Sequence, residues 1–141
     1  IGDIDDDGDL DLVVSTLDDR GRVLRNEGGN RGHWVELRLV GRRSNRDGIG
    51  AEVQLTTASG QLRHATARTA GGDLSAGDRR VHLGLGAEKG IRSIEIRWPS
   101  GTVQRLTDVT VDQILTVTES EADPARAKPG VPGGTAKSMP R

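Results

Sequence analysis

Six aspartates stand within nine residues near the start of the chain, and no other stretch of it suggests as much chemistry. Residues 3–11 read D-I-D-D-D-G-D-L-D, with one glycine at Gly8. Two carboxylates about 5 Å apart repel by roughly 3 kcal/mol at an effective dielectric of about 20, so this crowding is unfavourable without a cation. Ca²⁺ suits the loop because it accepts about six to eight oxygen ligands in flexible geometry, and glycine permits the tight turn.

Alternate acidic side chains on a tightly turned loop converge on one point. The predicted calcium ligands are the side chains of Asp3, Asp5, Asp7 and Asp11 and the backbone carbonyl of Asp9. The carboxylates of Asp6 and Asp9 are expected to point to solvent. The loop is not an EF-hand, because the twelfth position counted from Asp3 is Val14, where that motif needs a bidentate Glu. The alternative interpretation is a solvated acidic turn that binds no metal.

The residues after the loop predict two strands and a turn. Residues 10–15 contain Leu and Val in a strand-like run, residues 18–21 read D-D-R-G, and residues 22–26 form a second run. β-Branched residues favour strands, and a cluster of Asp and Gly favours a turn, so no helix is expected to leave the loop.

This loop between strands resembles the calcium loop of FG-GAP (VCBS-type) repeats, the blades of integrin-like β-propellers. The resemblance covers roughly residues 1–30, and no second D-x-D-x-D-G motif follows. A propeller typically has about four to eight blades, so one blade cannot close it. We therefore expect the last blade of a truncated FG-GAP β-propeller, with the earlier blades upstream.

Four further motifs occur in a characteristic order. They are S-N-R-D-G-I-G-A-E-V at residues 44–53, G-G-D-L-S at 71–75, H-L-G-L-G at 82–86 and I-E-I-R-W-P-S-G at 94–101. Together they resemble the ASPIC/UnbV domain, which follows FG-GAP repeats in the cartilage acidic protein family and in many bacterial secreted or surface proteins. The chain departs from that family at Asp73 and Leu83, where aromatic residues are usual. The resemblance implies an extracellular or cell-surface location.

The alternation of apolar and polar residues predicts an all-β fold for the same region. Residues 35–39, 52–56 and 93–98 alternate with a period of two, which is typical of strands with one buried face. In these runs Glu36 is expected to face outward and Trp98 to be buried. Turns at residues 59–60 and 98–101 predict hairpins. The expected fold is a truncated propeller blade followed by a β-sandwich-like ASPIC/UnbV domain.

Composition gives the expected domain limits. The 141 residues include 33% hydrophobic residues, no cysteine and no Phe or Tyr, and four of the five prolines lie after residue 118. We predict a partial FG-GAP repeat at residues 1–31, the β-domain at 32–118 and a disordered tail at 119–141. No run of 18 apolar residues occurs, so no membrane span is expected.

Arginines at four positions between residues 38 and 46 raise the alternative of nucleic-acid binding. The net charge of −1 and the lack of an aromatic platform argue against it, so no nucleic-acid partner is expected. No catalytic residue is assigned, because His33, His64 and His82 accompany no nucleophile or zinc-binding motif.

The predicted function is therefore a monomeric, non-enzymatic, extracellular calcium-binding protein that recognises or scaffolds a protein or glycan. The alternative is the non-catalytic C-terminal part of a secreted enzyme whose catalytic domain lies upstream. The loops at residues 45–50 and 71–80 are expected to form one surface, because glycines and charges between strands are typical of binding loops. The candidate contact residues are Arg46, Asp47, Asp73 and Asp78. A competing interpretation is that Arg46 and Asp47 only hold their own turn.

Overall fold

The computed structural model describes residues 1–71 and 75–121. This part of the chain contains nine strands, one short 3₁₀ turn at Gly29–Arg31 and no α-helix. The strands are β1 Leu12–Val14, β2 Arg22–Leu24, β3 His33–Val40, β4 Glu52–Thr57, β5 Leu62–Thr66, β6 Val81–Gly86, β7 Ile91–Arg97, β8 Val103–Leu106 and β9 Gln113–Thr118.

The strands form three sheets, two of which pack in a sandwich-like arrangement. β1 and β2 make a separate hairpin, β6-β3-β9 form one sheet, and β5-β4-β7-β8 form the other. β3 pairs antiparallel with β6 and parallel with β9. The all-β, sandwich-like prediction is confirmed, and the described residues form no closed barrel or propeller.

The core lies between the three-stranded and four-stranded sheets, where the apolar positions of the alternating runs face each other. Trp98 is 2% exposed, so its predicted burial is confirmed. The predicted hairpins are also present: Gly60 has φ 93° between β4 and β5, and Gly101 N donates to Trp98 O at 2.9 Å between β7 and β8. The buried side chains of the core include those of Val35, Leu37, Leu39, Val53, Leu55, Val81, Leu83, Leu85, Ile94, Ile96 and Trp98.

Glu119 fixes the end of β9 to the loop between β3 and β4, which connects the two sheets. Its Oε2 accepts hydrogen bonds from the backbone N–H groups of Arg42, Arg43 and Ser44 at 2.8–2.9 Å. Ser100 Oγ donates to its other oxygen, Oε1. Burial raises the pKa of Glu119, but the Ser100 and backbone hydrogen bonds outweigh it and lower the pKa to about 2. Glu119, which the sequence assigned to a tail, is thus an internal anchor, while residues 122–141 lie outside the described residues.

The outer face of β3 is not open to solvent at Glu36. Glu36 is on the outer face of β3, as the alternation requires, yet its exposure is 0%. The acidic loop and the segment before β6 cover that face, and Arg80 Nη1 lies 2.9 Å from Glu36 Oε2. Alternation assigns a residue to a face of the sheet, but it does not reveal whether another part of the chain packs there.

Candidate metal site

Three aspartates of the acidic loop converge in the structure. Asp3, Asp5 and Asp11 each offer a carboxylate oxygen, and the three oxygens lie within 4.8 Å of one another. They are three of the four side chains predicted as ligands. The fourth, Asp7, is not part of this cluster, and its Oδ1 accepts a hydrogen bond from Asp9 N at 3.1 Å.

Backbone donors hold two of the three carboxylates in place. Asp3 accepts from the N–H groups of Asp7 at 3.1 Å and Gly8 at 2.9 Å, which closes the turn. Asp11 accepts from Ile4 N at 3.0 Å and Asn26 N at 2.8 Å, so it ties the loop to the segment that follows β2. These two hydrogen bonds lower the pKa of Asp11.

Asp5 is the exposed member of the cluster, and its surroundings raise its pKa. Desolvation raises its pKa, the charges of Asp7 and Asp11 add to the rise, and the guanidinium of Arg25 works against it. Arg25 Nη2 contacts Asp5 Oδ2, and its Nε also lies 3.1 Å from Glu27. One carboxylate of the cluster thus already attracts a cationic side chain.

The prediction that the Asp9 carboxylate points to solvent is wrong. Asp9 is 3% exposed, and its Oδ2 accepts a hydrogen bond from Gly29 N at 2.9 Å. Its Oδ1 is buried and has no hydrogen-bond partner within residues 1–71 and 75–121. Asp6 does lie exposed as expected, although its Oδ1 is 2.6 Å from Arg80 Nη1.

The loop packs against the β-domain through Gly8. Gly8 has φ 95°, and a Cβ at this position would lie 2.0 Å from Cε2 and Nε1 of Trp34. His82 Nε2 is 2.9 Å from Gly8 O, and the His82 ring stacks on Trp34 with ring centres 6.3 Å apart. Only glycine fits between the loop and the outer face of β3 and β6.

Arg80 connects the loop to the β-domain by charge. Its guanidinium contacts Asp6 Oδ1 and Asp78 Oδ2, each at 2.6 Å, and it also donates to the backbone carbonyl of Asp3. Although desolvation works against ionisation, the hydrogen bonds that Arg80 donates to Asp78 and Asp6 raise the pKa of Arg80. Burial likewise raises the pKa of Asp78, but its hydrogen bonds from Arg80 outweigh this and lower it.

Glu36 is the least satisfied group at this junction. Neither of its carboxylate oxygens has a hydrogen-bond partner in the described part of the chain, despite the 2.9 Å approach of Arg80. Burial raises the pKa of Glu36 to about 7, Arg80 opposes the rise, and the charges of Asp3, Asp78 and Asp6 add to it. Around the loop, the described carboxylates therefore outnumber the cationic side chains that could compensate their charge.

The loops predicted to form a recognition surface do meet. Arg79 Nη1 donates to Asp47 Oδ2 at 2.9 Å, which joins the 45–50 turn to the segment before β6. A cleft of about 520 Å³ opens between these loops and the acidic loop, and its lining includes Asp47 and Asp78. Arg46 is not part of the lining and has an 84% exposed side chain. Asp73 lies outside the described residues.

The 45–50 turn is held mainly by Asn45. Its side chain donates to Ile49 O at 2.7 Å and accepts from Ile49 N at 2.8 Å. Arg46 and Asp47 approach only to 3.6 Å, so their pairing is a weak surface contact. Asp47 instead bridges to the other loop.

The sequence model of one protein family, described as ASPIC and UnbV, matches residues 41–124, which is more than half of the chain. No curated protein matches the chain. The described residues include no helix with the length and apolar character needed to cross a membrane.

Proposed function

The chain belongs to the ASPIC and UnbV family, and from this premise we propose that it is a non-enzymatic, calcium-dependent binding protein of the extracellular space or cell surface. The observation that carries the proposal is the convergence of the Asp3, Asp5 and Asp11 oxygens within 4.8 Å on a loop held by backbone donors. Calcium is the cofactor, and a protein or a glycan is the partner.

The donor set fits Ca²⁺ because it consists of hard carboxylate oxygens on a tightly turned loop. The buried and unpartnered Asp9 Oδ1 lies in the same loop of the described chain. A bound ion would neutralise part of the local charge and displace Arg25 from Asp5. The role of the ion in this proposal is structural.

The β1–β2 hairpin supports the further proposal that residues 1–31 belong to an FG-GAP repeat. An isolated two-stranded hairpin is marginally stable in water, and strands of a blade normally pack against other strands. Four of the apolar hairpin side chains are each at least 40% exposed: Leu12, Val13, Val23 and Leu24. Neighbouring blades would bury this surface.

Tb³⁺ luminescence tests the metal proposal without knowledge of a partner, because this ion binds oxygen-rich calcium sites and is excited by nearby tryptophan. Trp34 is in contact with Gly8 of the loop, whereas Trp98 is in the sandwich core. We expect Trp-sensitised Tb³⁺ emission that excess Ca²⁺ removes and that Trp34→Phe abolishes. Emission that Ca²⁺ does not displace would contradict the proposal.

The proposed recognition role rests on the cleft between the loops. Substitution of Asp47 and of Asp78 tests whether each residue contacts the partner or only holds the loops in place. Asp78 accepts hydrogen bonds from Arg80 N at 3.0 Å and Arg80 Nε at 2.6 Å, so Asp78→Ala is expected to lower the melting temperature. Asp47 is half-buried and makes only surface ion pairs, so Asp47→Ala should leave the melting temperature nearly unchanged.

The binding readout is retention on immobilised cell-surface glycans and proteins in Ca²⁺ or EDTA. We expect Asp47→Ala to lose calcium-dependent retention while remaining folded. Full retention by this variant would exclude Asp47 from recognition and would leave the cleft as part of the scaffold.

A further inference from the structure

We infer that the β-domain is part of the calcium site: Arg80 and His82 position the acidic loop, so calcium affinity depends on how the loop packs on β3 and β6. This inference rests on the proposed calcium site and goes further, because neither residue belongs to the converging carboxylate cluster. It also implies that the predicted repeat at residues 1–31 does not bind calcium independently of the predicted β-domain.

Arg80 reaches the loop on both sides of the central Asp5. It donates to the backbone carbonyl of Asp3 and to Asp6 Oδ1, and neither atom belongs to the converging cluster. Its remaining contacts are with Asp78 and Glu36 of the β-domain. The guanidinium therefore fixes the backbone from which Asp3 and Asp5 project, and it does so from a site anchored at the three-stranded sheet of β6, β3 and β9.

Gly8 provides the second point of attachment. His82 Nε2 is 2.9 Å from Gly8 O, and the indole of Trp34 fills the space where a Cβ would be. Gly8 N also donates to Asp3 Oδ2 at 2.9 Å, so the position of Gly8 determines where that carboxylate points. A single hydrogen bond therefore connects the residue that packs on the β-domain to a carboxylate of the proposed calcium site.

Electrostatics alone predicts that loss of Arg80 strengthens calcium binding, whereas a positioning role predicts that it weakens binding. The direction of the change in calcium affinity therefore tests the inference. Removing an arginine near a cation site reduces repulsion and strengthens calcium binding. Arg25 contacts the cluster carboxylate of Asp5, so Arg25→Ala should strengthen binding. Loss of Arg80 should weaken binding, because its positioning of the loop outweighs its charge; changes to groups that orient metal ligands typically cost about 10- to 100-fold in affinity.

The test is isothermal titration of Ca²⁺ into the full chain of Glu36→Gln and of Glu36→Gln/Arg80→Met. Replacing Glu36 together with Arg80 avoids an unpaired buried charge at Glu36. Asp6 and Asp78 also lose Arg80, but both have access to solvent, so the double variant should fold with a lowered melting temperature. The single variant is the matched control, because it retains the contacts of Arg80 with the loop. We expect about a tenfold weaker Ca²⁺ affinity for the double variant than for the single variant.

His82→Phe gives an independent measurement if the double variant does not fold. It removes the contact with Gly8 O without a change in formal charge and keeps a ring against Trp34. A severalfold loss of Ca²⁺ affinity at an unchanged melting temperature supports the inference. Equal or tighter binding by these variants, beside a parent that binds Ca²⁺, overturns it and leaves the calcium proposal standing. A parent that binds no Ca²⁺ defeats both.

Discussion

Two regions of this molecule bury a glutamate, and they treat the carboxylate in opposite ways. Glu119, 1% exposed, receives hydrogen bonds from three backbone N–H groups and two serine hydroxyls, and its pKa falls to about 2. Glu36, fully buried beside the acidic loop, has one close arginine and three acidic neighbours, and its pKa rises to about 7. The side chain is the same, so the difference lies in the donors that the surroundings provide.

The comparison shows that the fold compensates the buried charge fully in one region and only partly in the other. At Glu119 the fold supplies the compensation for burial, since each oxygen has partners among the 42–44 and 98–102 segments. Around the acidic loop, Arg25 and Arg80 are shared among more carboxylates than they can neutralise. A cation bound by the loop would restore there the balance that the Glu119 site already has.

The largest loss of stability is expected from Glu119→Ala, which removes the carboxylate whose oxygens are fully hydrogen-bonded. It leaves three backbone N–H groups without their acceptor, and a buried unsatisfied donor costs about 1–3 kcal/mol. The free energy of unfolding, measured in urea at pH 7, should fall by about 3 kcal/mol or more. The matched control is Glu121→Ala, which removes an exposed partner of Arg42 and should change it by less than about 0.5 kcal/mol. Equal effects would contradict this account of Glu119.

Glu36→Gln should instead stabilise the protein at neutral and higher pH. A pKa raised from 4.5 to about 7 means that folding opposes ionisation of Glu36. The stability of the parent is therefore unaffected by this group below about pH 4.5 and falls as the pH rises through 7. Without added metal, the variant should exceed the parent by up to about 3 kcal/mol above pH 7 and match it near pH 4.

Urea denaturation at pH 4, 6 and 8 in the presence of EDTA measures this difference. The contribution of Glu119 has the opposite dependence, because its lowered pKa makes stability fall as the pH drops from 4.5 towards 2. A variant that is less stable than the parent at pH 8 would show that the ion pair with Arg80 outweighs the desolvation of Glu36.

The sequence predicted most of the sandwich, because its signals are local. Alternating residues such as Val35 and Leu37 identify a buried face, and Gly60 marks a hairpin turn without knowledge of distant residues. The crowded aspartates likewise indicated a metal site, and three of the four expected side chains converge.

The junction between loop and sandwich could not be predicted, because it joins residues far apart in the chain. Arg80 and Glu36 are separated from the loop by tens of residues, and neither has a local pattern that distinguishes it from a surface charge. Glu119 was assigned to a tail because residues 119–141 hold four of the five prolines and almost no large apolar side chain. The nearest available signal was His82, which stands in one of the family motifs and contacts Gly8.

Gly8→Ala should produce a smaller effect, confined to the region of the acidic loop. The new Cβ would meet Trp34 and would also adopt φ 95°, so the loop should detach from β3 and β6. Gly60→Ala is the control, since Gly60 has φ 93° and no atom within 4 Å of its Cβ position. In both variants, an alanine in the left-handed backbone conformation costs roughly 1–2 kcal/mol. Gly8→Ala should cost about 1 kcal/mol more and should increase Trp34 quenching by acrylamide, whereas equal costs would argue against tight docking of the loop.

Calcium binding to the acidic loop is the central claim, and isothermal titration of Ca²⁺ into the parent chain tests it most directly. We expect one site with a dissociation constant of roughly 10⁻⁴–10⁻³ M, the range of extracellular calcium modules. Asp5→Asn/Asp11→Asn should abolish the binding, while Asp18→Asn/Asp19→Asn, which removes the same charge from the β1–β2 turn, should retain it. A parent that shows no binding, or a cluster variant that binds as well as the parent, would contradict the account.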